Sequence, residues 1–267
     1  MAMQARSAGL ATGLALAIAA GACARETGPR VETRAVEYRQ GDVILKGIMA
    51  WDAAAVGKRP GVAVVHEWWG HNEHARSQAR RLAEAGFVAL AVDMYGDGKA
   101  TTDPHEAQAF AAEATKDPAV MAARFNAALE ALQLDPHVDA ERIGAIGYCF
   151  GGMVVLSMAR AGADLDAVVS FHGALPTGPV DSGKVKAHVL VATGAADPFV
   201  PAAAVEAFRK EMEAAGVALH IVTYPNAKHG FTNPNAGTFG MEQLAYDAAA
   251  DTASWEAMRA LFQEVWR

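Results

Sequence analysis

The chain has 267 residues, of which 52% are hydrophobic and 20% charged, and its formal net charge is −7. This length suits one large α/β domain or two small ones. The apolar content excludes a disordered chain, two cysteines exclude a disulfide scaffold, and 23 basic against 30 acidic residues argue against a nucleic-acid partner. A soluble enzyme or binding protein is the class that remains.

The first 24 residues are predicted to be an export signal that lies outside the fold. Arg6 precedes an apolar stretch over residues 8–20, and these 13 residues are too few to span a bilayer comfortably as a helix. A short apolar stretch followed by small residues is typical of a signal peptide. Cleavage after Ala22 and cleavage after Ala24 both fit this pattern.

Cys23 leaves a second form of export open, because Gly-Ala-Cys also resembles the end of a bacterial lipoprotein signal. The chain is therefore expected to be periplasmic, or anchored to a bacterial membrane only through lipid on Cys23. In either case Cys149 is the one thiol left in the domain. A free thiol in an oxidising compartment has to be buried or used.

From residue 36 onward, short β-branched runs alternate with longer amphipathic stretches. The predicted strands cover residues 43–49 (as part of a hairpin), 61–66, 87–92, 143–148, 167–171, 189–193 and 220–224. The predicted helices cover residues 73–85, 105–133 with an interruption near Pro118, 150–161, 201–215 and 241–265. This alternation predicts a single α/β domain over residues 25–267, with a mostly parallel central sheet and helices on both faces.

The strand at 143–148 runs into Gly-Tyr-Cys-Phe-Gly, residues 147–151. This G-x-C-x-G pattern is that of a nucleophile elbow with sulfur in place of a hydroxyl. The glycines are needed because the sharp turn brings neighbouring backbones close together. Cys149 would lie at a helix N-terminus, where the helix dipole favours a thiolate.

Two further strands end in residues that complement such a nucleophile. Asp197 follows the strand at 189–193, and His229 follows the strand at 220–224. Functional groups gather at the carboxyl ends of parallel strands, and the order Cys, Asp, His is that of the α/β-hydrolase fold. Each residue alone is more often a core cysteine, a turn aspartate or a loop histidine. Their joint placement favours catalysis.

Four motifs resemble the dienelactone hydrolase family over nearly all of the chain after the signal. They are His-Glu-Trp-Trp-Gly at 66–70, Asp-Met-Tyr-Gly at 93–96, Gly-Tyr-Cys-Phe-Gly-Gly at 147–152 and His-Gly-Phe at 229–231. The resemblance implies an α/β-hydrolase fold and a hydrolase that cleaves an ester or lactone through a thioester acyl-enzyme.

The resemblance also assigns roles to individual residues. Cys149, Asp197 and His229 match the catalytic triad of the family. Glu67 matches a buried glutamate that interacts with the resting thiol and helps to generate the thiolate. The backbone N–H groups of Phe150 and Trp68 match the oxyanion hole, whose donors stabilise the charge that develops in acyl transfer.

The sequence departs from the family at the substrate anchor. The prototype lactone hydrolases hold a substrate carboxylate with two arginines, but here the first neighbourhood reads Gly-Asp-Gly at 96–98 and the second position is Asn233. Without guanidinium groups an anionic substrate has no bidentate anchor. We therefore expect a neutral ester or lactone rather than dienelactone itself, in a pocket that draws on the side chains of Trp69, Tyr95, Phe231 and Asn233.

A rival interpretation is a metal site formed by His66, His71 and His74 with Glu67 or Glu73. The spacing is irregular for a preformed zinc site, so no metal is expected. No glycine-rich loop has the spacing of a nucleotide site, so no cofactor is expected either.

Two other interpretations concern function. The chain could be an exported, non-catalytic small-molecule-binding protein on a hydrolase scaffold, since a fold does not fix a function. A thiol redox role for Cys149 is weaker, because no second cysteine lies close by in the sequence. The sequence favours a hydrolase that is a monomer or a weak oligomer.

Overall fold

The computed structural model of the protein describes Met1 and residues 28–267. The rest of the predicted export signal, including Cys23, lies outside the described residues. Between residues 28 and 267, no helix combines the length and apolar character needed to cross a bilayer.

Eight strands form one sheet in the order β1-β2-β4-β3-β5-β6-β7-β8. The strands are β1 (Val31–Gln40), β2 (Val43–Asp52), β3 (Arg59–Val65), β4 (Val88–Val92), β5 (Val138–Tyr148), β6 (Ala167–Phe171), β7 (His188–Gly194) and β8 (Leu219–Tyr224). β2 pairs antiparallel with β1 and β4, and all other neighbours are parallel. The carboxyl ends of β3 to β8 therefore meet along one edge of the sheet.

Six α-helices cover the two faces of the sheet. They are α1 (Glu73–Glu84), α2 (Pro104–Thr115), α3 (Pro118–Gln133), α4 (Phe150–Arg160), α5 (Ala202–Ala214) and α6 (Ala248–Val265). β3 shows the division of the core. Ala63 and Val65 belong to the apolar cluster that includes side chains of α3, α4 and α5, whereas Val62 and Val64 belong to the cluster that includes side chains of α1 and α6. Alternate side chains of a strand point to opposite faces, which explains the continuous apolar run. The α/β-hydrolase fold expected from the sequence is confirmed.

The structure differs from the predicted elements in three places. β1 was not predicted as a strand, and β5 begins at Val138 instead of residue 143. The last helix begins at residue 248 rather than 241, because the preceding segment is bonded to the loop that carries His229. The N–H groups of Ala245 and Asp247 donate to the carbonyl oxygens of His229 and Phe231, at 3.2 and 3.1 Å.

The loop after β4 is organised around Asp93, whose side chain is fully buried. Its carboxylate accepts hydrogen bonds from the N–H groups of Lys46, Tyr95, Gly96 and Gly98, at 2.7 to 2.9 Å. Four backbone donors on one carboxylate leave it no capacity for other partners. The Asp-Met-Tyr-Gly motif is therefore a structural element of this loop.

Candidate active site

Cys149 lies at the turn between β5 and α4 with φ 53° and ψ −112°, a left-handed conformation that strains a residue with a Cβ atom. Gly147 and Gly151 make the turn possible. A Cβ atom on Gly147 would lie 2.1 Å from the carbonyl oxygen of Gly151, and one on Gly151 would lie 2.2 Å from that of Val65. The predicted elbow is thus present, with the half-buried thiol at the N-terminus of α4.

His229 and Asp197 are in direct contact at the ends of β8 and β7. The Nδ1–H group of His229 donates to Oδ2 of Asp197 at 2.8 Å. The other carboxylate oxygen accepts the backbone N–H of Phe199, also at 2.8 Å. The bond between His229 and Asp197 fixes the imidazole tautomer and leaves Nε2 of His229 free to exchange a proton with a nucleophile.

The charges around His229 favour its protonated form. Burial lowers the pKa of the imidazole, but the negative charges of Cys149 and Asp197 outweigh burial and raise the pKa from 6.5 to about 10. An imidazolium of this kind stabilises a thiolate beside it. The three residues predicted from strand ends are thus brought together.

A cavity of about 330 Å³ opens beside Cys149 and His229. Its remaining wall is formed by Trp68, Ala111, Phe150, Met153, Ala174, Phe199, Val200, Met241 and Leu244. None of these described side chains carries a charge. Because this part of the wall offers no charged partner to an ion, it suits a neutral, largely apolar group.

All four predicted pocket side chains lie outside this wall, and three of them are aromatic. Trp69 is buried and stacks on Phe239 at 4.1 Å between ring centroids. Tyr95 lies behind the wall, where its hydroxyl donates to the carbonyl oxygen of Trp68 at 3.1 Å. Phe231 is fully buried in the core formed with α1 and α6. The structure thus places these three rings away from the cavity wall, and apolarity alone does not say whether an aromatic ring packs in the core or lines a cavity.

Asn233, the fourth, also lies outside the wall and contacts Glu67 instead. Its Nδ2 group donates to Oε2 of Glu67 at 2.6 Å, and both side chains are buried. Glu67 is likewise absent from the cavity wall, so the structure holds its carboxylate on Asn233 and not on the thiol. The amide thus partners a buried carboxylate at the position where the family anchor would hold an arginine.

The two predicted oxyanion donors border the cavity. Phe150 is the first residue of α4, so its N–H has no partner within the helix. Within residues 28–267, neither this N–H nor that of Trp68 donates to another protein group. The N–H of Gly151, by contrast, is bonded to the carbonyl oxygen of His66 at 3.1 Å. The backbone N–H groups of Phe150 and Trp68 are therefore available to bind the oxygen of a tetrahedral intermediate.

Two of the three histidines of the rival metal site are hydrogen-bonded to other groups. His66 contacts the carbonyl oxygen of Glu67 through Nδ1 at 2.6 Å and accepts the N–H of Met94 on Nε2. His71 contacts the carbonyl oxygen of Ala91 through Nε2 at 3.1 Å and accepts from Arg76 on Nδ1. Over the described part of the chain, no group of three or more His, Cys, Asp or Glu side chains is arranged so that it could hold a metal ion.

His172 is a site residue that the sequence analysis missed. It directly follows β6, its side chain is fully buried, and its ring centroid lies 5.1 Å from that of His229. The sequence contained the feature that could have identified His172, because it is a polar residue directly after an apolar strand, as Asp197 and His229 are.

Comparison with known proteins identifies the relatives of the chain. A family model described as the dienelactone hydrolase family matches residues 45–266. A provisionally named carboxymethylenebutenolidase of Escherichia coli K12 is 30% identical over 220 residues, which cover 78% of each chain.

Solved structures agree with this relationship. A dienelactone hydrolase-like promiscuous phosphotriesterase from metagenomic libraries is 42% identical, with a TM-score of 0.84 over 88% of this chain and 98% of that one. The dienelactone hydrolase of Anabaena variabilis shares the fold at 23% identity, with a TM-score of 0.60 over 88% and 98% of the two chains.

Proposed function

Because the chain belongs to the dienelactone hydrolase family and is an ester or lactone hydrolase, we propose that it cleaves a neutral, apolar substrate through Cys149, His229 and Asp197. One observation carries the proposal. Cys149 and His229 border the same cavity, whose remaining wall is uncharged, and Asp197 holds the far nitrogen of the imidazole at 2.8 Å.

In the proposed reaction, the thiolate of Cys149 attacks the substrate carbonyl carbon. The carbonyl π electrons move onto oxygen, where the N–H groups of Phe150 and Trp68 stabilise the negative charge. When the tetrahedral intermediate collapses, the bond to the alkoxy group breaks and His229 donates its proton to the leaving oxygen. A thioester on Cys149 remains.

Water then completes the reaction. The now neutral His229 removes a proton from a water molecule, whose oxygen attacks the thioester carbonyl. Collapse of the second tetrahedral intermediate releases the carboxylic acid and returns the thiolate beside the imidazolium. Generation of the thiolate by Glu67 stays a prediction, since its carboxylate is bonded to Asn233.

The first test compares esters that differ only in charge. The purified chain is expected to turn over p-nitrophenyl butyrate repeatedly and the anionic p-nitrophenyl hemisuccinate at least about tenfold less efficiently, because no lysine or arginine side chain lines the cavity to pair with the carboxylate. Cys149→Ala should abolish both activities. A burst without turnover would contradict the water step. Binding of the ester without hydrolysis by either protein would favour the non-catalytic alternative.

Phosphotriester hydrolysis is a second candidate activity. The relative that is 42% identical is described as a promiscuous phosphotriesterase, and phosphotriesters are neutral, as the cavity requires. Release of p-nitrophenolate from paraoxon by the parent, but not by Cys149→Ala, would support this activity. Absence of turnover would leave carboxylic esters as the substrate class.

Export and oligomeric state are proposals that come from the sequence. We propose that the chain is periplasmic or lipid-anchored through Cys23, and that it is a monomer or a weak oligomer. Mass spectrometry of the mature N-terminus distinguishes cleavage after Ala22 or Ala24 from lipid on Cys23. Light scattering measures the oligomeric state.

A further inference from the structure

His172 has a backbone conformation that its residue type disfavours. Its φ is 42°, one of three positive values at non-glycine residues among those described, and Cys149 is another. Such strain persists only where the surrounding structure enforces it. The N–H of His172 donates to the carbonyl oxygen of Ala192 on β7 at 2.8 Å. The carbonyl oxygen of the preceding residue, Phe171, accepts the N–H of Cys149 at 3.0 Å. The residue thus links the strand ends that carry the nucleophile and the acid.

The side chain of His172 contacts the loop that carries the third site residue. Its Nε2 lies 2.8 Å from Oγ1 of Thr232, three residues after His229. Its ring also meets the His229 ring edge to face, with 5.1 Å between centroids and 66° between planes. On another side, the Phe199 ring lies 5.1 Å from His229 at 85°. The imidazole of His229 is therefore confined by two rings as well as by Asp197.

His172 is uncharged in this environment. Burial lowers its pKa well below 6.5, and the neighbouring His229 and His74 lower it further. The phenol ring of Tyr148 also lies beside His172, with 6.1 Å between the two ring centroids. A neutral neighbour is what the reaction needs, because His229 becomes a cation beside it.

We propose that His172 is a positioning residue for His229: its imidazole, tied to Thr232, holds the 229–232 loop so that Nε2 of His229 stays aligned with the thiol. This inference rests on the proposed function, because it assigns His229 the proton transfers. It adds a fourth residue, which acts through the triad and does not touch the substrate.

The test removes each half of the His172–Thr232 contact separately. Asn tolerates positive φ, so His172→Asn keeps the backbone conformation while it removes the ring. Thr232→Val keeps the shape and removes the hydroxyl, and Thr232→Ser restores the hydroxyl. Thr193→Val is the matched control, since Thr193 is also buried and its hydroxyl has no partner within the described part of the chain.

The variants are compared by ester kinetics and by the downfield proton NMR signal of the His229 Nδ1–H that is bonded to Asp197. His172→Asn and Thr232→Val should lower kcat by about tenfold to a hundredfold, with KM within about threefold, and should broaden or shift that signal. Thr232→Ser and Thr193→Val should match the parent in both measurements. All spectra are taken well below each variant's melting temperature, so that reduced stability alone does not produce the change.

Two results would overturn the inference. One is an unchanged kcat and NMR signal in both His172→Asn and Thr232→Val. The other is an equal loss in Thr193→Val, which would show a general effect of altering buried threonines. If His172→Asn fails to fold, Thr232→Val decides alone. Failure of the proposed function is seen separately, as full activity in His229→Gln.

Discussion

Asp93 and Asp197 are both buried aspartates at the same edge of the sheet, after β4 and β7, but their surroundings differ. The Asp93 carboxylate accepts four backbone N–H groups. The Asp197 carboxylate accepts one backbone N–H, from Phe199, and keeps its other oxygen for the imidazole of His229. The first is saturated by the chain around it. The second links the backbone to a side chain that has to exchange protons.

The difference shows how one residue type serves two purposes at one sheet edge. A carboxylate bonded only to backbone donors fixes a loop, and its removal should affect folding. A carboxylate that is hydrogen-bonded to a titratable side chain fixes the tautomer of that side chain, and its removal should lower the rate of the catalysed reaction. The following variants test this division.

The largest effect is expected for Asp197→Asn. The amide cannot hold His229 in the required tautomer, so kcat for ester hydrolysis should fall by about 10⁴-fold. The melting temperature should change little, since the backbone bond to Phe199 can be kept. A loss of stability comparable to that of Asp93→Asn would remove the distinction between the two aspartates.

Asp93→Asn should have the opposite profile. The amide group would place N–H donors against backbone N–H donors, so the free energy of unfolding should fall by about 3 kcal/mol. The folded fraction should keep kcat within about fivefold of the parent. Urea unfolding measures the first quantity, and Asp181→Asn, at an exposed position, is a control that should change stability by less than about 0.5 kcal/mol.

The pH dependence of stability separates the two regions further. The pKa of His229 is raised in the folded state to about 10, above its usual 6.5. Its stabilising contribution is therefore complete below pH 6.5 and is lost as the pH rises through 10. The stability difference between the parent and His229→Gln should therefore decline progressively as the pH rises from 6.5 through 10. The difference between the parent and Asp93→Asn should stay constant over this range, and urea unfolding at several pH values checks both.

Phe199→Ala should give the smallest effect. The variant keeps the backbone N–H that Asp197 accepts and removes only the half-exposed ring at the cavity wall. KM for a p-nitrophenyl ester should rise by about threefold to tenfold, since roughly 1 kcal/mol of apolar contact is lost, while kcat changes less. A large fall in kcat with an unchanged KM would show instead that the ring mainly positions His229.

The sequence was most informative where strands are buried on both faces. β6 lies where the apolar run predicted it, and the residues following β5, β7 and β8 converge as strand order requires. β1 was missed because it is an edge strand with charged residues on both faces and only Tyr38 buried. A strand held by pairing with β2 leaves no hydrophobic periodicity in its own sequence.

Side-chain partners at the site were harder to predict than strand ends. The sequence placed Glu67 at the end of a buried strand, but its bond to Asn233 joins positions 166 residues apart. Likewise, Trp68 and Trp69 are adjacent in the sequence, yet only the first borders the cavity. Which of two neighbouring rings faces inward depends on the loop backbone, and the sequence pattern does not contain that information.

The segment before α6 has a consequence for redesign of the enzyme. Met241 and Leu244 form part of the cavity wall, and the backbone just beyond them is bonded to the loop of His229 and Phe231. A directed-evolution library on this segment would therefore alter substrate choice and turnover together. Ala111 on α2 and Met153 on α4 border the same cavity from helices. A library at those two positions is the one that can broaden the substrate range while leaving the rate of the chemical step intact.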